Sequence, residues 1–226
     1  MIVLMDSFSA TGEELEKALQ AAGLDPANPP LLINWTGSRV TSPEKPVLNS
    51  ESRTNKLQQL IRLEMAGIKV PRFAISRPLG ERWLARRAFH QQGRDFRFPP
   101  KKPDFWTEYI NFGEEWRIHV FRSAKGNSRV IRSALKVPKS ASADPIIRSH
   151  RVGWKLSYTG GAGDGLKAIA KAALDALRLD FGAVDIGVDH SGAGVVLEVN
   201  TCPGLETGTL RYYVEQIIER VKKSCS

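Results

Sequence analysis

A predicted β-hairpin over residues 182–205 constrains the fold of this chain more than any other segment. Apolar residues alternate with other residues on both sides of a polar turn at residues 190–194, which is the pattern of two strands with one buried face. The alternating residues are Val184, Ile186 and Val188 before the turn and Val195, Leu197 and Val199 after it. The hairpin therefore fixes which side chains of this segment share a face.

Two carboxylates lie symmetrically about the turn of this hairpin. In a regular register Asp185 and Glu198 face each other, and Asn200 projects on the same face as Glu198 because strand side chains repeat every second residue. Facing anions repel, so the pair needs solvent, a shared proton or a bound cation. Two carboxylates and an amide oxygen suit a hard ion such as Mg²⁺ or Mn²⁺, with nucleotide phosphates completing its shell. A hairpin with one hydrated face has the same spacing, so that alternative stays open.

The turn that follows the second strand favours a binding site. Residues 201–205 read Thr-Cys-Pro-Gly-Leu, and loops attached to rigid strands are where binding residues concentrate. Cys202 lies beside the predicted site. We expect it to be a small buried residue of the turn and not a nucleophile.

The charge of the chain indicates an anionic partner. Its 226 residues fit one or two domains, and they carry a formal net charge of +9, which favours a nucleotide, acidic peptide, nucleic acid or wall polymer as ligand. Two cysteines allow at most one disulfide, and neither a signal-peptide pattern nor an apolar run of membrane-spanning length occurs. We therefore expect a cytoplasmic protein that does not contact a membrane.

The rest of the chain is predicted to alternate between short strands and helices. Strands are expected at residues 1–5, 31–34, 70–75, 82–88, 105–110, 115–121 and 128–137. Helices are expected at 11–22, 166–179 and 209–221, and a further helix is expected between a cap at Ser52 or Thr54 and Gly67. A Pro- and Ser-containing connector at 41–50 marks a boundary, and the basic segment 141–158 is expected to be irregular. That segment either binds an acidic acceptor or is a solvated loop.

The second predicted helix places a lysine where helices disfavour one. Ser52 or Thr54 can cap this helix, and Lys56 falls in its first turn. A cation there opposes the helix dipole unless an anion meets it. Lys56 is therefore either a solvated surface residue or a ligand for an anion.

Two other segments carry chemistry. The polar face of strand 115–121 combines Glu115, Arg117 and His119, which indicates either a wet surface or the wall of a site. Between residues 82 and 106, arginines and lysines are interleaved with tryptophans and phenylalanines, a mixture typical of single-stranded nucleic-acid grooves. A non-catalytic nucleic-acid-binding protein is therefore one alternative function.

Taken in order, these motifs resemble the ATP-grasp family of carboxylate-amine ligases, most closely the small ATP-grasp proteins often encoded by bacteriophages. The resemblance covers residues 47–226, and the family's metal motif, an aspartate on one strand and Glu-x-Asn before a Pro-Gly turn on the next, is specific. The residues that match it are Asp185, Glu198, Asn200, Pro203 and Gly204. The resemblance implies an α+β fold in which two α+β subdomains with antiparallel sheets sandwich ATP.

The resemblance also implies a division of the chain and a set of nucleotide-binding residues. Residues 1–50 correspond to a shortened N-terminal α/β region, 70–112 to a small nucleotide-covering subdomain and 113–226 to a metal-binding subdomain, the last two within an ATP-grasp domain of residues 51–226. Lys56 matches the phosphate-binding lysine of a helix that ends in Gly-Ile-x-Val-Pro. Glu108, Tyr109 and Ile110 match the adenine-binding hinge, Glu115 the ribose-binding carboxylate, and Arg117 and Lys136 the residues that face phosphate or acyl-phosphate.

The chain departs from the family pattern at the phosphate-covering strand and loop. The family has a lysine on that strand, whereas this chain offers Arg86 or Arg87, and the following loop at residues 90–95 has a single glycine. The implied activity is ATP-dependent ligation of a carboxylate and an amine with Mg²⁺ or Mn²⁺, acting on small molecules or peptides of which one is acidic. A small-molecule kinase that uses the same ATP site is a second alternative.

Overall fold

The computed structural model describes residues 1–5, 9–36, 38–51, 55–80, 82–88, 102–144 and 146–224. Its helices are α1 (Ala10–Ala21), α2 (Lys56–Met65), α3 (Asp164–Ala176) and α4 (Thr207–Ser224). Its strands are β1 (Val3–Met5), β2 (Leu32–Trp35), β3 (Val47–Leu48), β4 (Phe73–Ala74), β5 (Trp83–Arg86), β6 (Phe105–Glu108), β7 (Glu114–Arg122), β8 (Ser128–Pro138), β9 (Trp154–Ser157), β10 (Phe181–Val188) and β11 (Gly194–Asn200). Within those residues, no helix combines the length and the apolar character needed to cross a membrane.

Three sheets organise these elements. A parallel sheet of order β1-β2-β3 comes first, and an antiparallel sheet of order β4-β6-β5 follows it in sequence. The largest sheet is antiparallel, with the order β11-β10-β7-β8-β9. The predicted α+β architecture with two antiparallel sheets is therefore confirmed.

The predicted hairpin is β10-β11, and it contains one irregularity. Asp185 pairs with Glu198 as predicted, but the next pair is Ile186 with Val196, because a β-bulge follows Asp185. Leu197 is the extra, unpaired residue of the bulge and is half-buried, whereas Val196 and Val199 enter the core. The predicted strict alternation of Val195, Leu197 and Val199 is therefore wrong.

One face of the large sheet packs against α3. The helix begins after Gly163, carries Asp164 in its first turn where the dipole favours an anion, and buries Leu174 against the sheet. Close approach requires a glycine on β11, because a Cβ at Gly194 would lie 2.8 Å from atoms of Leu166 and of Ile169. This packing fixes one face of the hairpin, and Asp185 projects from the other.

The opposite face is divided between an aromatic core and a polar region. Near one end, Trp35, Phe121 and Phe181 stack with ring centroids 5.3 and 5.8 Å apart, and Tyr213 of α4 meets all three edge-on. Asn49, at a positive φ of 57°, accepts the Asp180 and Phe181 N–H groups and so joins the N-terminal sheet to β10. The polar region continues along the same face.

Helix α2 covers the exposed edge of β11. The buried Gln59 side chain acts as a substitute strand, because its amide donates to the Val199 carbonyl at 3.0 Å and accepts the Val199 N–H at 3.1 Å. Asn55 caps the helix and forms a capping box with Gln58, so the prediction that Ser52 or Thr54 provides the cap is wrong. Gln59 therefore fixes the position of the helix relative to Glu198 and Asn200, the two residues that flank Val199.

We expect Gln59→Leu to lower the free energy of unfolding by about 3 kcal/mol, because two buried backbone groups of Val199 would lose their partners. Urea unfolding followed by circular dichroism measures this change. Glu64→Gln, on the exposed side of the same helix, is the matched control and should change the unfolding free energy by less than about 0.5 kcal/mol. Equal effects of the two substitutions would contradict the bridging role of Gln59.

One segment differs from its sequence prediction. The segment 141–158 is not wholly irregular, because it contains β9, which pairs with β8 as the fifth strand of the large sheet. In the basic aromatic segment Phe105 is buried with Arg86 5.9 Å from its ring, whereas Trp83 and Trp106 are half-buried, and its nucleic-acid binding stays a prediction. The predicted loop at residues 90–95 lies outside the described residues.

Candidate active site

The polar region on the open face of the large sheet brings together residues from four neighbouring strands. Arg117 pairs in register with Asp185 on β10 and with Ala134 on β8, and Asp185 pairs with Glu198 on β11. Lys136 lies two residues beyond Ala134 and therefore projects on the same face. The first turn of α2 closes the region above β11, where Lys56 meets Glu198.

Asp185 lies at the centre of this region and is held by two cations. Arg117 donates to both of its oxygens, each at 2.8 Å, and Lys136 donates to one of them at 3.0 Å. Only 3% of Asp185 is exposed. Burial by itself favours the neutral acid, but Arg117 and Lys136 outweigh it and hold the pKa of Asp185 below its ordinary value. The same contacts raise the pKa values of Arg117 and Lys136 against the effect of their burial, so all three groups are charged at neutral pH.

Glu115 extends this network along β7. Its carboxylate binds Lys136 and lies 4.0 Å from Arg148, and only 8% of the residue is exposed. Burial raises the pKa of Glu115, and the Lys136 charge opposes that shift. Arg148 also donates to the Phe112 carbonyl and stacks on Trp154 at 4.9 Å. Part of the basic segment 141–158 therefore faces the site.

A second group of contacts surrounds Glu198. Lys56 donates to one oxygen of Glu198 at 2.6 Å, and the Asn200 amide donates to the other at 3.1 Å. Burial disfavours the Glu198 anion, but Lys56, Arg86 and Lys136 together lower its pKa well below the ordinary value. Lys56 is the first residue of α2, where a cation is unfavourable unless an anion is present, and Glu198 supplies that anion.

His119 belongs to the core and not to the solvated wall of the site. It is fully buried, its Nδ1 lies 3.1 Å from the Tyr213 hydroxyl, and its Nε2 has no hydrogen-bond partner among the described residues. Burial, reinforced by the Arg117 charge, lowers the pKa of His119 from 6.5 to about 3. The imidazole is therefore neutral at physiological pH.

We expect this buried histidine to make the protein less stable as the pH falls below 6.5. The unfolded chain binds a proton at 6.5 whereas the folded chain does not until about 3, so the free energy of unfolding falls by up to about 1.4 kcal/mol per pH unit in that window. The carboxylates with lowered pKa values contribute only below their unfolded values near 4, and the raised pKa of Glu115 acts above its unfolded value in the opposite direction, so between pH 4.5 and 6.5 His119 is the group that lowers stability as the pH falls. Urea unfolding across this range measures the slope.

His119→Phe should remove most of that slope, and His190→Gln, in the exposed hairpin turn, should leave it unchanged. A slope that persists undiminished in His119→Phe would show that other groups cause it.

The other predicted site residues lie at separate places in the fold. Glu108 ends β6 and is paired with Arg72 at 3.0 Å, and the Tyr109 N–H donates to the Arg82 carbonyl at 2.9 Å. Ile110 follows them and is half-buried. Arg86 is half-buried on β5 and acts on Glu198, whereas Arg87 is exposed. These positions favour Arg86 over Arg87 as the phosphate-binding candidate, and the nucleotide-binding roles stay predictions.

Two features of the site differ from the sequence analysis. Cys202 is exposed, so the prediction that it is a small buried residue is wrong. The turn that carries it leads into α4 along the surface, and Pro203 and Leu205 are its buried residues. Gln59, which holds α2 beside the site, was missed, and a polar residue between apolar helix positions is only a weak signal for such a role. Arg148 was predicted only as part of a basic segment that either binds an acidic acceptor or is a solvated loop.

The charges of the site fit a polyphosphate. Five cations, Lys56, Arg86, Arg117, Lys136 and Arg148, surround three carboxylates, Glu115, Asp185 and Glu198, which leaves a net charge of +2. Among the described residues no group of three His, Cys, Asp or Glu side chains is arranged to hold a metal. A carboxylate has about four acceptor positions, and Glu198 uses two of them, so Glu198 with Asn200 and Asp185 offers the oxygen donors that Mg²⁺ prefers.

The sequence matches no protein-family model and no curated protein. The structure is similar to the ATP-grasp ligase PsnB in complex with a minimal precursor, with a TM-score of 0.68 and 14% identity over 97% of this chain and 98% of that one. It is also similar to D-alanine–D-alanine ligase from Bacillus anthracis, with a TM-score of 0.65 and 13% identity over 98% and 93% of the two chains. VanG D-Ala:D-Ser ligase from Enterococcus faecalis gives a TM-score of 0.61 and 18% identity over 87% and 73%. This chain therefore has the ATP-grasp fold.

Proposed function

We propose that this chain is an ATP-dependent ligase that joins a carboxylate to an amine and forms ADP. The observation that carries the proposal is the cluster on the open face of the large sheet, in which five cations surround Asp185, Glu198 and Glu115 beneath the first turn of α2. A cluster with a net positive charge on the ATP-grasp fold suits the phosphates of a nucleotide. PsnB, D-alanine–D-alanine ligase and VanG are named as ligases, which supports the same class of reaction here.

The proposed reaction has two steps. A carboxylate oxygen of the first substrate attacks the γ-phosphorus of ATP, the bond from that phosphorus to the β,γ-bridging oxygen breaks, and ADP leaves. The nitrogen of the second substrate then attacks the acyl carbon of the acyl-phosphate, inorganic phosphate leaves with the electrons of the acyl C–O bond, and the nitrogen loses a proton. The chemistry needs positioning and charge stabilisation and no protein nucleophile.

The cations of the cluster stabilise the charge that develops during both steps. Arg117 and Lys136 lie at the centre of the sheet face, where they would meet the transferred phosphoryl group and the acyl-phosphate. Lys56 and Arg86 approach from α2 and β5 and would bind the nucleotide phosphates. Adenine is proposed to bind to the hinge formed by Glu108, Tyr109 and Ile110.

Three oxygen-bearing residues of the hairpin are proposed to hold the metal: Asp185, Glu198 and Asn200. A bound Mg²⁺ would neutralise phosphate charge and orient the β- and γ-phosphates. Asp185 already accepts three hydrogen bonds from Arg117 and Lys136, so Glu198 and Asn200 have the larger unused acceptor capacity. Glu115 is proposed to bind the ribose hydroxyls, a role that requires its contact with Lys136 to loosen.

The substrates are proposed to be amino acids or peptides, one of them acidic. PsnB was solved with a precursor peptide, and VanG is named for D-alanine and D-serine. The formal charge of +9 favours an anionic substrate.

We expect ADP release from Mg·ATP to require both an amine and a carboxylate. The experiment supplies the twenty amino acids singly and in pairs, together with short acidic peptides, and measures ADP by a coupled assay and products by mass spectrometry. A product whose mass equals the sum of the two substrate masses less one water identifies a ligase. ADP release that needs no amine and yields a stable phosphorylated product would instead identify a kinase. Salt-sensitive oligonucleotide binding without ATP affinity would support the nucleic-acid alternative.

A further inference from the structure

A second cavity lies on the same sheet face, beyond the phosphate-binding cluster. It has a volume of about 410 Å³, and the residues that line it include Arg132, Tyr158, Gly160, Gly208, Arg211 and Tyr212. Arg132 on β8 pairs with His119 on β7. This pair lies two residues along each strand from the pair formed by Ala134 and Arg117. Two residues of a strand span roughly 6.6 Å, so the cavity begins about that far from the cluster.

Arg132 is a cation without a counter-ion in the described part of the chain. Its guanidinium lies 3.6 Å from the ring centroid of Tyr158 and 5.8 Å from that of Tyr212. Its Nη1 is buried and has no hydrogen-bond partner, and no carboxylate among the described residues forms an ion pair with it. A buried donor without an acceptor is unfavourable, and a charged one more so. Arg117, by contrast, is fully paired with Asp185.

A glycine in the first turn of α4 makes room for this arginine. A Cβ added at Gly208 would lie 2.4 Å from the Nη1 of Arg132. Tyr158, which carries the guanidinium on its ring face, is itself held by a hydrogen bond of 3.3 Å from the Thr209 hydroxyl. The backbone of α4 and the aromatic ring therefore fix the guanidinium at the cavity wall, with its Nη1 buried against Gly208.

We propose that this cavity binds a carboxylate of one substrate, and that this carboxylate is not the one activated by ATP. The planar guanidinium offers a fork that matches a carboxylate, and its aromatic neighbours accept a planar group. Arg211 is paired with Glu215 at 2.8 Å, whereas the Glu206 carboxylate acts on the neutral Tyr158 hydroxyl at the exposed rim. One cation with a carboxylate at the rim matches a monoanion better than a phosphate dianion.

This inference rests on the proposed ligase function and narrows its substrate class. Arg132 pairs with His119, which is two residues from Arg117 on β7. A substrate that reacts beside Arg117 and is held at Arg132 must therefore carry its free carboxylate within a few bonds of the reacting group. An amino acid or a short dicarboxylic acid meets that requirement. A substrate with a blocked or neutral group at this position would leave the Arg132 guanidinium without a counter-ion.

The test uses 4-fluorobenzoate and its neutral analogue 4-fluorobenzamide as probes, with Mg·ADP present to fill the nucleotide site. Fluorine NMR titration of the full chain should show benzoate binding at least roughly 10-fold tighter than benzamide, since a charge-assisted hydrogen bond is lost in the amide. Arg132→Met should abolish that preference, and Arg132→Lys should keep part of it, because the charge remains but the fork is lost. Arg62→Met, which removes an exposed arginine of α2 that does not line the cavity, should keep all of it.

Equal binding of the two probes to the wild-type chain, or a benzoate preference that survives in Arg132→Met, would overturn the proposal. Circular dichroism confirms that each variant is folded, and Arg132→Lys provides the comparison if Arg132→Met is not. With an identified substrate, Arg132→Met should raise the KM for that substrate roughly 10- to 100-fold and leave the KM for ATP unchanged. If the wild-type chain shows no amine-dependent ADP release but keeps an Arg132-dependent benzoate preference, the ligase function fails and the anion subsite stands.

Discussion

We expect Glu198→Gln to reduce ATP turnover at least about 100-fold while the protein stays folded. Glu198 is the carboxylate that joins the hairpin to α2, since it binds Lys56 at 2.6 Å and Asn200 at 3.1 Å. Glutamine keeps the size of the side chain but removes the anion that the proposed metal needs, and it leaves Lys56 without a charged partner. Steady-state ADP release measures the loss.

The fold should tolerate this substitution. Lys56 and Glu198 are 18% and 24% exposed, so the ion pair is partly buried and its loss should cost about 1 to 3 kcal/mol in the free energy of unfolding. Asp189→Asn is a matched control, because Asp189 lies in the same hairpin and pairs with Lys69 outside the cluster. Full activity in Glu198→Gln, or an equal loss in Asp189→Asn, would contradict the role assigned to Glu198.

We expect Arg117→Met to impair both stability and turnover. Asp185 is 3% exposed and receives two of its three hydrogen bonds from Arg117, so the substitution leaves a buried carboxylate with Lys136 as its remaining partner. Breaking such a pair costs about 3 kcal/mol in the free energy of unfolding. Turnover should fall at least about 100-fold, because Arg117 is proposed to stabilise the transferred phosphoryl group. Urea unfolding and ADP release measure the two effects.

A double-mutant cycle separates the pair from its surroundings. In Arg117→Met with Asp185→Asn, neither partner is charged, so the double variant should be more stable than the sum of the two single losses predicts. Arg129→Met, which removes an exposed ion pair on the neighbouring strand, is the control and should cost about 1 kcal/mol or less. Strict additivity of the two substitutions would show that Arg117 and Asp185 do not stabilise each other.

The sequence predicted the parts of the site that depend on local pattern. The period-two alternation placed Asp185 opposite Glu198. The dipole argument left two alternatives for Lys56, a solvated residue or a ligand for an anion, and the structure supplies Glu198 as the anion. The bulge after Asp185 could not be predicted, because Val195, Val196 and Leu197 are all apolar and either register buries an apolar residue.

The missed features depend on contacts between distant segments. Gln59 is 140 residues from Val199 in sequence. The helix also contains Gln58, and nothing in the sequence shows which of the two glutamines bonds to the edge of a sheet. Strand β9 was missed because its four residues, Trp154–Ser157, lie in a basic segment and are recognisable only by their pairing with β8. The unpaired nitrogen of Arg132 likewise results from the packing of α4 against β8 and has no sequence signature.

The measurement that tests the central claim most directly is the affinity of the chain for ATP with and without Mg²⁺, by isothermal titration calorimetry of the wild-type chain and Glu198→Gln. The account predicts that the wild-type chain binds ATP and that Mg²⁺ strengthens the binding at least about 10-fold, since Asp185, Glu198 and Asn200 supply oxygen ligands. It also predicts that Glu198→Gln loses the Mg²⁺ effect. Absence of ATP binding in the presence of Mg²⁺, or an equal Mg²⁺ effect in both proteins, would contradict it.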